Sequence, residues 1–540
     1  MKITPTVLTC NKLATVNLLI LKLNLIKFMR KILLLLITVV TVISFSAYSQ
    51  TAEIHDVRKN EFRGVYPIIN KQTKEPQGYY TFYVNEKAEK GMVNFMIAIF
   101  DLDLKLIKQT PITITKHSNV DGSEYNGEDF LFCFNDIRKK KITYVTVDNG
   151  GNIIKQKDVQ EEKRYAATAD VYPSNNGGFY IVKPIKEKKW GYSVERVDRN
   201  LNTLWEKQYM PEKGIIMVEA VESDKDKIIV IQAQREALMS RKTKAEFICL
   251  SDKTGDQIFK YSLFDGVDTA IPTSFLVDDE KNIITGGMYF EGEKMDNTNS
   301  DGIFFLKLTP NGEKLAYDKI DWDKGIQEVI QKTQKGISIS SKPKVYFQDI
   351  VQGVDGNYHI ISETFQKNYQ LMSSGLKDAI TGRFIGNLNS DGKPVTFEIM
   401  DFLLFDVSKN DLKLVGMNIV EKEHTKISVY PPYNGYNGLA MARIVDKFGW
   451  FNYAFTTHTQ SGNDRILVSS NTAISEPYIG LNTIKSGQVS TMKKIPVDKK
   501  KTKGSSCVGC MRGRKGNICV YTYDKKEQTV SLYIEKIPID

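Results

Sequence analysis

The chain has 540 residues, 41% hydrophobic and 26% charged, the composition of a large globular protein and not of a disordered or fibrous one. Its formal charge of +10 falls to +4 once residues 1–49 are set aside, because that stretch holds six basic residues (Lys2, Lys12, Lys22, Lys27, Arg30, Lys31) and no acid. Spread over so long a chain, +4 is no electrostatic footprint for nucleic acid, and the five cysteines beyond residue 49 are too sparse for a disulfide framework.

The N-terminus reads as an export signal. Met29-Arg30-Lys31 is a short basic region, Ile32 to Phe45 is almost unbroken apolar sequence, and Ala47-Tyr48-Ser49 is a small-x-small cleavage pattern. Cleavage after Ser49 leaves Gln50 first in the mature chain, and Met29 is the expected true start. No cysteine follows the apolar run to take a lipid, and no later segment is long and apolar enough to span a membrane. The expected location is the periplasm, the cell surface or the medium.

From Phe95 onward one unit keeps returning: a strand, a turn rich in Asp, Asn or Gly, then another strand. It reads FMIAIFDLDLKLIKQTPI from Phe95, YVTVDNGGNIIKQKDV from Tyr144, YSVERVDRNLNTLWEKQY from Tyr192, FICLSDKTGDQIFKYSL from Phe247 and FFLKLTPNGEKLAYDKI from Phe304. The starts lie roughly 50 residues apart, the period of repeat arrays such as propellers. A second hairpin precedes each one, most clearly FQDIVQGVDGNYHIISETF from Phe347. Two hairpins make four strands, one blade.

The spacing predicts an all-β β-propeller of seven or eight four-stranded blades in one domain, 50–540. The blades fall near 62–114, 115–160, 165–212, 215–264, 270–322, 345–420, 425–498 and 505–538. The last offers about three strands, and Ala52–Val57 is expected to close the ring from the N-terminus, sparing it open edges. Ile228–Ala233 is apolar on both faces, as packing between blades requires. Lys324 to Lys335, with Ile326, Val329 and Ile330 on one stripe, reads as a helix inserted between blades, and Tyr369–Ile380 as a second.

Loops joining second to third strands leave the same face as the blade-to-blade connections. Three consecutive blades lengthen that loop, at 235–245, 291–302 and 366–381, and this rim is the expected binding surface. Tyr289, Phe290, Asp301, Phe365 and Tyr369 border it as candidate binding residues for a protein or glycan partner. Lys493–Gly516 is rich in lysine and arginine and reads as a solvated linker. Cys507, Cys510 and Cys519 lie in or beside it, and an exported protein could join Cys507 to Cys510 or Cys510 to Cys519. Four zinc ligands are not at hand. Asn297–Gly302 has the letters of a calcium loop but carries Leu308 where the loop needs Glu.

No nucleophile motif survives inspection. Lys253-Thr254-Gly255 precedes Ser374-x-x-Lys377, the reverse of the order that motif pair needs, and no GxSxG, HExxH or Walker loop is present. The five histidines are scattered, and His359 reads as a strand histidine. No cofactor is implied. The expectation is a monomeric, non-enzymatic exported binding or scaffold protein; the alternative is a carbohydrate-active hydrolase or lyase with carboxylates from separate blades in the central channel.

The turns Asp198–Tyr209 and Asp252–Tyr261 resemble outer hairpins of exported bacterial propellers, and the leader resembles those of secreted Bacteroidota proteins, many of them uncharacterised. No Gly-His…Trp-Asp repeat or Ser-x-Asp-x-Gly-x-Thr-Trp box is present, and Trp190, Trp205, Trp322 and Trp450 do not recur by blade. The resemblance therefore implies a fold and a setting, and carries over no functional residue.

Overall fold

The outer hairpin turns show how the repeat builds itself. In the turn after the third strand of blade 3, the Asp198 carboxylate accepts from Asn200 N at 2.8 Å and from Asn202 N at 2.9 Å, while Leu201 N donates to the Asp198 carbonyl at 3.0 Å. Asp101 and Asp148 play the same part in blades 1 and 2, and the Thr309 hydroxyl does so in blade 5. Each such turn holds a residue at positive φ: Leu104 (61°), Gly151, Leu201 (61°), Gly255, Gly312 and Leu412 (57°). That conformation costs a non-glycine residue about 1–2 kcal/mol, so the leucines need a compensating contact. All three are buried in the apolar cluster shared with the preceding blade. Where the turn has glycine, the preceding outer strand fills the space instead. A Cβ on Gly255 would stand 2.7 Å from the Trp205 ring, and one on Gly312 2.5 Å from Phe259.

The computed structural model describes residues 50–538 except 71–72, 74, 86–88, 164–167, 188, 225, 238–239, 241, 294–299, 334–342, 369–394, 430–437, 448, 460–461, 463, 472–476 and 498–504. The leader and the helix expected at 369–380 lie outside the described residues. Strand pairing gives eight blades, at 57–115, 119–160, 170–209, 215–262, 268–321, 345–429, 453–496 and 505–536. Blades 3 and 4 also share one parallel bridge, Trp190 to Ile215. Thr51–Ile54 pairs with the strand Thr529–Lys536 of blade 8, from Thr51↔Tyr533 to Ile54↔Val530. An apolar cluster lies between every neighbouring pair of blades. The one joining blade 8 to blade 1 sets Met511, Cys519 and Tyr523 against Tyr79, Tyr83 and Phe100. The ring is closed, which removes the exposed edges an open array would carry.

Within a blade the order of strands is the order of burial. Second strands such as Ile283–Glu291 and third strands such as Gly302–Leu308 are buried on both faces, whereas fourth strands such as Ile153–Gln160 face solvent. First strands of neighbouring blades approach one another around the axis. Most carry a β-bulge at one level, with the register slipping past Arg63, Asp121, Glu219, Thr273, Gln348 and Ala454. A bulge takes its residue out of the ladder and re-aims the side chain.

Among the described residues two helices interrupt the repeat, both in blade-to-blade connections. A π-turn at Trp322–Ile326 leads into α1 (Gln327–Thr333), close to the helix expected at 324–335, and Trp322, Ile326 and Ile330 are buried between blades 5 and 6. The second, α2 (Gly438–Lys447), was not foreseen. Its Met441, Ala442 and Val445 pack on Phe365, Val395, Phe397 and Phe451, while Leu439 and Arg443, four apart on another side, meet blades 4 and 5. Blade 6 extends past the expected 420 because its third strand, Val395–Val407, pairs with two segments, Leu414–Val420 and Thr425–Val429. Blade 6 is tied to the start of blade 7 by buried Lys422, which donates to Asn452 Oδ1 at 2.7 Å and whose Nζ lies 3.3 Å from the Glu363 carboxylate of its own blade. That carboxylate also accepts from Tyr453 N at 2.7 Å and Asn452 N at 3.2 Å.

Candidate functional site

Most of the bulge residues on the inner strands are polar. Asp121, Glu219, Thr273 and Gln348 are partly exposed although they sit on the innermost strands. Asp121 accepts from Ala169 N at 3.0 Å, joining blades 2 and 3. Thr273 Oγ1 and Gln348 Nε2 are buried without a hydrogen-bond partner among the described residues. Leaving such a group unsatisfied costs about 1–3 kcal/mol.

Acids gather on the inner strands of blades 2 to 4. Glu124, near the end of the inner strand of blade 2, has a carboxyl that burial pushes up to about 8, with the charge of Glu222 in blade 4 adding to the effect. Tyr172 of blade 3 feels both: burial first, then Asp170, Glu124 and Glu222, raise its phenol. A carboxyl held in its acid form at neutral pH is a proton donor.

A small pocket opens between blades 4 and 5 on the face of the blade-to-blade connections. Glu219, Ile231, Arg235, Thr243, Ile271 and Pro272 form its wall, and Leu439 and Arg443 of α2 form its roof. Arg443 pairs with the Glu219 carboxylate, and Arg235 Nη2 lies 3.8 Å from it. Two guanidinium groups therefore share one carboxylate. Burial lowers the proton affinity of Arg235, Glu219 restores part of it, and Arg443 lowers it again. Arg235 Nε and Thr243 Oγ1 are both buried without a partner among the described residues. The cavity is about 20 Å³, room for one water-sized polar group.

The residues expected to bind stand elsewhere. Tyr289 is 1% exposed and donates its hydroxyl to the Asp321 carboxylate; Phe290 and Phe365 are each 3% exposed. Phe365 stacks on Phe397 with ring centroids 5.1 Å apart, in the seat of α2. These three rings are core, because the strands they end run on into packed interfaces. The Asp301 carboxylate accepts from Glu291 N at 2.9 Å and its carbonyl from Trp322 N at 3.1 Å, so it shapes the loop end. Tyr369 lies outside the described residues, as do 238–239, 241, 294–299 and 369–381 of the expected rim.

Cys507, Cys510 and Cys519 are free thiols. Cys507 and Cys519 face the cluster between blades 8 and 1, whereas Cys510 faces that between blades 7 and 8. Residues three apart on a strand point to opposite faces, so neither expected disulfide is made, and burial pushes the Cys510 thiol up to about 12. The residues that the sequence reading missed, Glu219, Arg235, Thr243 and Arg443, carried one signal: polar side chains inside or at the ends of strongly apolar segments.

Over 89% of its length the chain is similar to the Sqt1 protein of Chaetomium thermophilum, covering 98% of that chain at 9% identity and a TM-score of 0.40. It is also similar to the periplasmic gluconolactonase of Pseudomonas aeruginosa, with 75% of this chain and 93% of that one covered, 10% identity and a TM-score of 0.35. A 170-residue stretch is 29% identical to GTP 3',8-cyclase of Haemophilus influenzae; it covers 27% of this chain and spans about half, 48%, of that protein. The strand pairing establishes the propeller independently of these likenesses. Residues 29–538 match a family described as a family of unknown function (DUF6770), and the chain belongs to that family.

Proposed function

We propose that this protein is an exported binding propeller that holds a protein or glycan partner over blades 4 and 5. The observation that carries this reading is the pair of unpartnered buried donors, Arg235 Nε and Thr243 Oγ1, in a pocket on the insertion-bearing face. A carbonyl, hydroxyl or carboxylate oxygen of the partner would satisfy both, and Arg443 on α2 would close over it. Export rests on the leader of residues 1–49, and the Bacteroidota setting on its resemblance. Screening glycans and peptides against the full chain, then against Arg235→Gln with Thr243→Val, tests the assignment. A ligand found by the screen should lose at least about tenfold in affinity in the double variant; unchanged binding would place its site elsewhere.

A second reading is favoured by Glu124. A hydrolase or lyase working in the channel needs an acid that keeps its proton, and Glu124 is such a group with Glu222 nearby. Glu124→Gln should abolish any glycan cleavage while leaving binding at the pocket of blades 4 and 5 intact.

A further inference from the structure

On the opposite face of the ring, where short turns join first to second and third to fourth strands, blade 6 departs from its neighbours. His359 and Asp406 stand directly opposite one another on its second and third strands, two residues beyond the pair Ile361 and Leu404. That pair belongs to the apolar cluster between blades 6 and 7. Side chains two apart on a strand share a face, so the apolar layer ends in a histidine and an acid. The His359 side chain is 5% exposed, with its Nδ1 3.3 Å from Asp406 Oδ1 and its Nε2 3.6 Å from Asp355 Oδ1 in the turn before the second strand. Asp406 Oδ1 is buried and accepts no hydrogen bond among the described residues.

The three groups converge. One ligand atom from each of Asp355, His359 and Asp406 lies within 4.8 Å of the other two, so the acids are not splayed to opposite ends of the ring. Two glycines make room for them. A Cβ on Gly353 would overlap His359 Nε2 and Asp355 Oδ1 at once, and one on Gly487, in the outer turn of blade 7, would overlap Asp406 Oδ2. Asn357 steadies Asp355, donating from N to Oδ1 at 3.2 Å and from Nδ2 to Oδ2 at 3.4 Å. The turn is exposed at Val354 and Asp355, which opens the cluster to solvent.

Blades 3 and 5 build the same place differently. The outer turns begin at Asp198, Thr309 and Ser408, each N–H donating to a carbonyl at the far end of its turn. Two residues earlier stand Arg196 in blade 3, Lys307 in blade 5 and Asp406 in blade 6. Arg196 bonds to Asp252 of blade 4 at 2.7 Å, and Lys307 lies 3.5 Å from Asp278. The buried acids there have a cation of the chain. In blade 6 an acid takes the cation's place, and neither Asp355 nor Asp406 pairs with a lysine or arginine among the described residues. A protonated His359 would offset only one of the two charges. Two converging carboxylates and an imidazole nitrogen suit a divalent cation that takes mixed nitrogen and oxygen ligands. We propose that Asp355, His359 and Asp406 bind such a cation, of the zinc or manganese class, with its remaining positions open to solvent. The site lies on the other face from the pocket between blades 4 and 5 and is independent of it.

Calorimetric titration of the full chain, stripped with a chelator, with Zn²⁺ and with Mn²⁺ tests the proposal. One-to-one binding of at least one ion is expected, weakened at least about tenfold in Asp406→Asn and in Asp355→Asn. It should be unchanged in His424→Gln, which removes a more exposed histidine beside Glu398 and Asp401. Without metal, Asp406→Asn should melt at or above the parent's temperature, because it relieves the meeting of two acids, and it should lose the rise in melting temperature that the ion gives the parent. Asp355→Asn, in an exposed turn, keeps the binding test available whatever the other variant does to folding. In ¹⁵N spectra the His359 ring resonances should move with Zn²⁺ or broaden with Mn²⁺. No binding at about 1 mM of either ion would overturn the site, as would unchanged affinity in either aspartate variant or an unresponsive His359 ring. A metal-free Asp406→Asn far less stable than the parent would also overturn it, by assigning that carboxylate to a protonated His359. Ca²⁺ binding as tightly as Zn²⁺ and Mn²⁺ would overturn the nitrogen ligand.

Discussion

The two faces of the ring are made by the same eight blades, yet they leave different things unsatisfied. The face of the blade-to-blade connections is irregular, and over blades 4 to 6 the chain covers it with its own helix, α2, latched by Arg443 to Glu219. The other face is a series of short turns whose Asp, Asn and Thr side chains satisfy their own backbone, as Asp101, Asp148 and Asp198 do. It departs from that regularity at blade 6, where Asp355 of such a turn meets a buried histidine and a second acid. The lesson is that insertion length marks where a propeller is elaborated, while unsatisfied polar groups mark where it can still bind.

The largest expected effect concerns what anchors the irregular face. Lys422→Met leaves Glu363 buried without its cation and should cost about 3–5 kcal/mol, read by urea unfolding. Adding Glu363→Leu should recover a good part of that loss; failure to recover any would mean the tie is made by the backbone contacts of Asn452 and Tyr453 alone. Next comes the regular face. Leu412→Ala removes a fully buried turn residue and should cost about 2–5 kcal/mol, whereas Leu412→Gly should do no worse despite losing more atoms, because glycine accepts positive φ. An alanine variant clearly more stable than the glycine variant would refute the account of the turns.

A pH profile tests the acids of the inner strands. Glu124 titrates at about 8 in the folded chain, above the ordinary value of 4.5. Between those values the folded chain keeps a proton that the unfolded chain has released, so stability should fall as pH rises from about 4.5 to 8 and level off beyond. Glu124→Gln should flatten that part of the profile, and an unchanged slope would assign it to other groups. The smallest effect belongs to the latch. Arg443→Ala should change global stability by about 1 kcal/mol or less while speeding amide exchange in 438–447, and unaltered exchange would show that apolar packing alone holds α2.

Much of the ring was legible because its grammar is local. Strand alternation, the Asp, Asn and Gly turns and the spacing of hairpins predicted seven or eight blades and placed most of them within a few residues, including closure by the segment after Gln50; the boundary between blades 6 and 7 was missed, because Thr425–Val429 pairs within blade 6. The helix at 327–333 was legible from Ile326, Val329 and Ile330. Helix α2 was not: Met441, Ala442 and Val445 serve blade 6 while Leu439 also reaches the cluster of blades 4 and 5. The aromatic candidates Tyr289, Phe290 and Phe365 misled for a related reason: a ring at a strand end looks alike in sequence whether it faces a loop or a neighbouring blade.

What the amino-acid sequence determined by itself was therefore everything set within one hairpin: strand, turn, handed residue and period. What only the tertiary structure decided was which side chains meet across blades. Glu219 finds Arg443 over two hundred residues away, the turn at Gly487 in blade 7 closes on Asp406 of blade 6, and Cys510 turns its back on Cys507. Closing the ring sets those meetings, because one bulged residue or one step of register chooses the face a side chain serves, and no local pattern records which neighbour waits there.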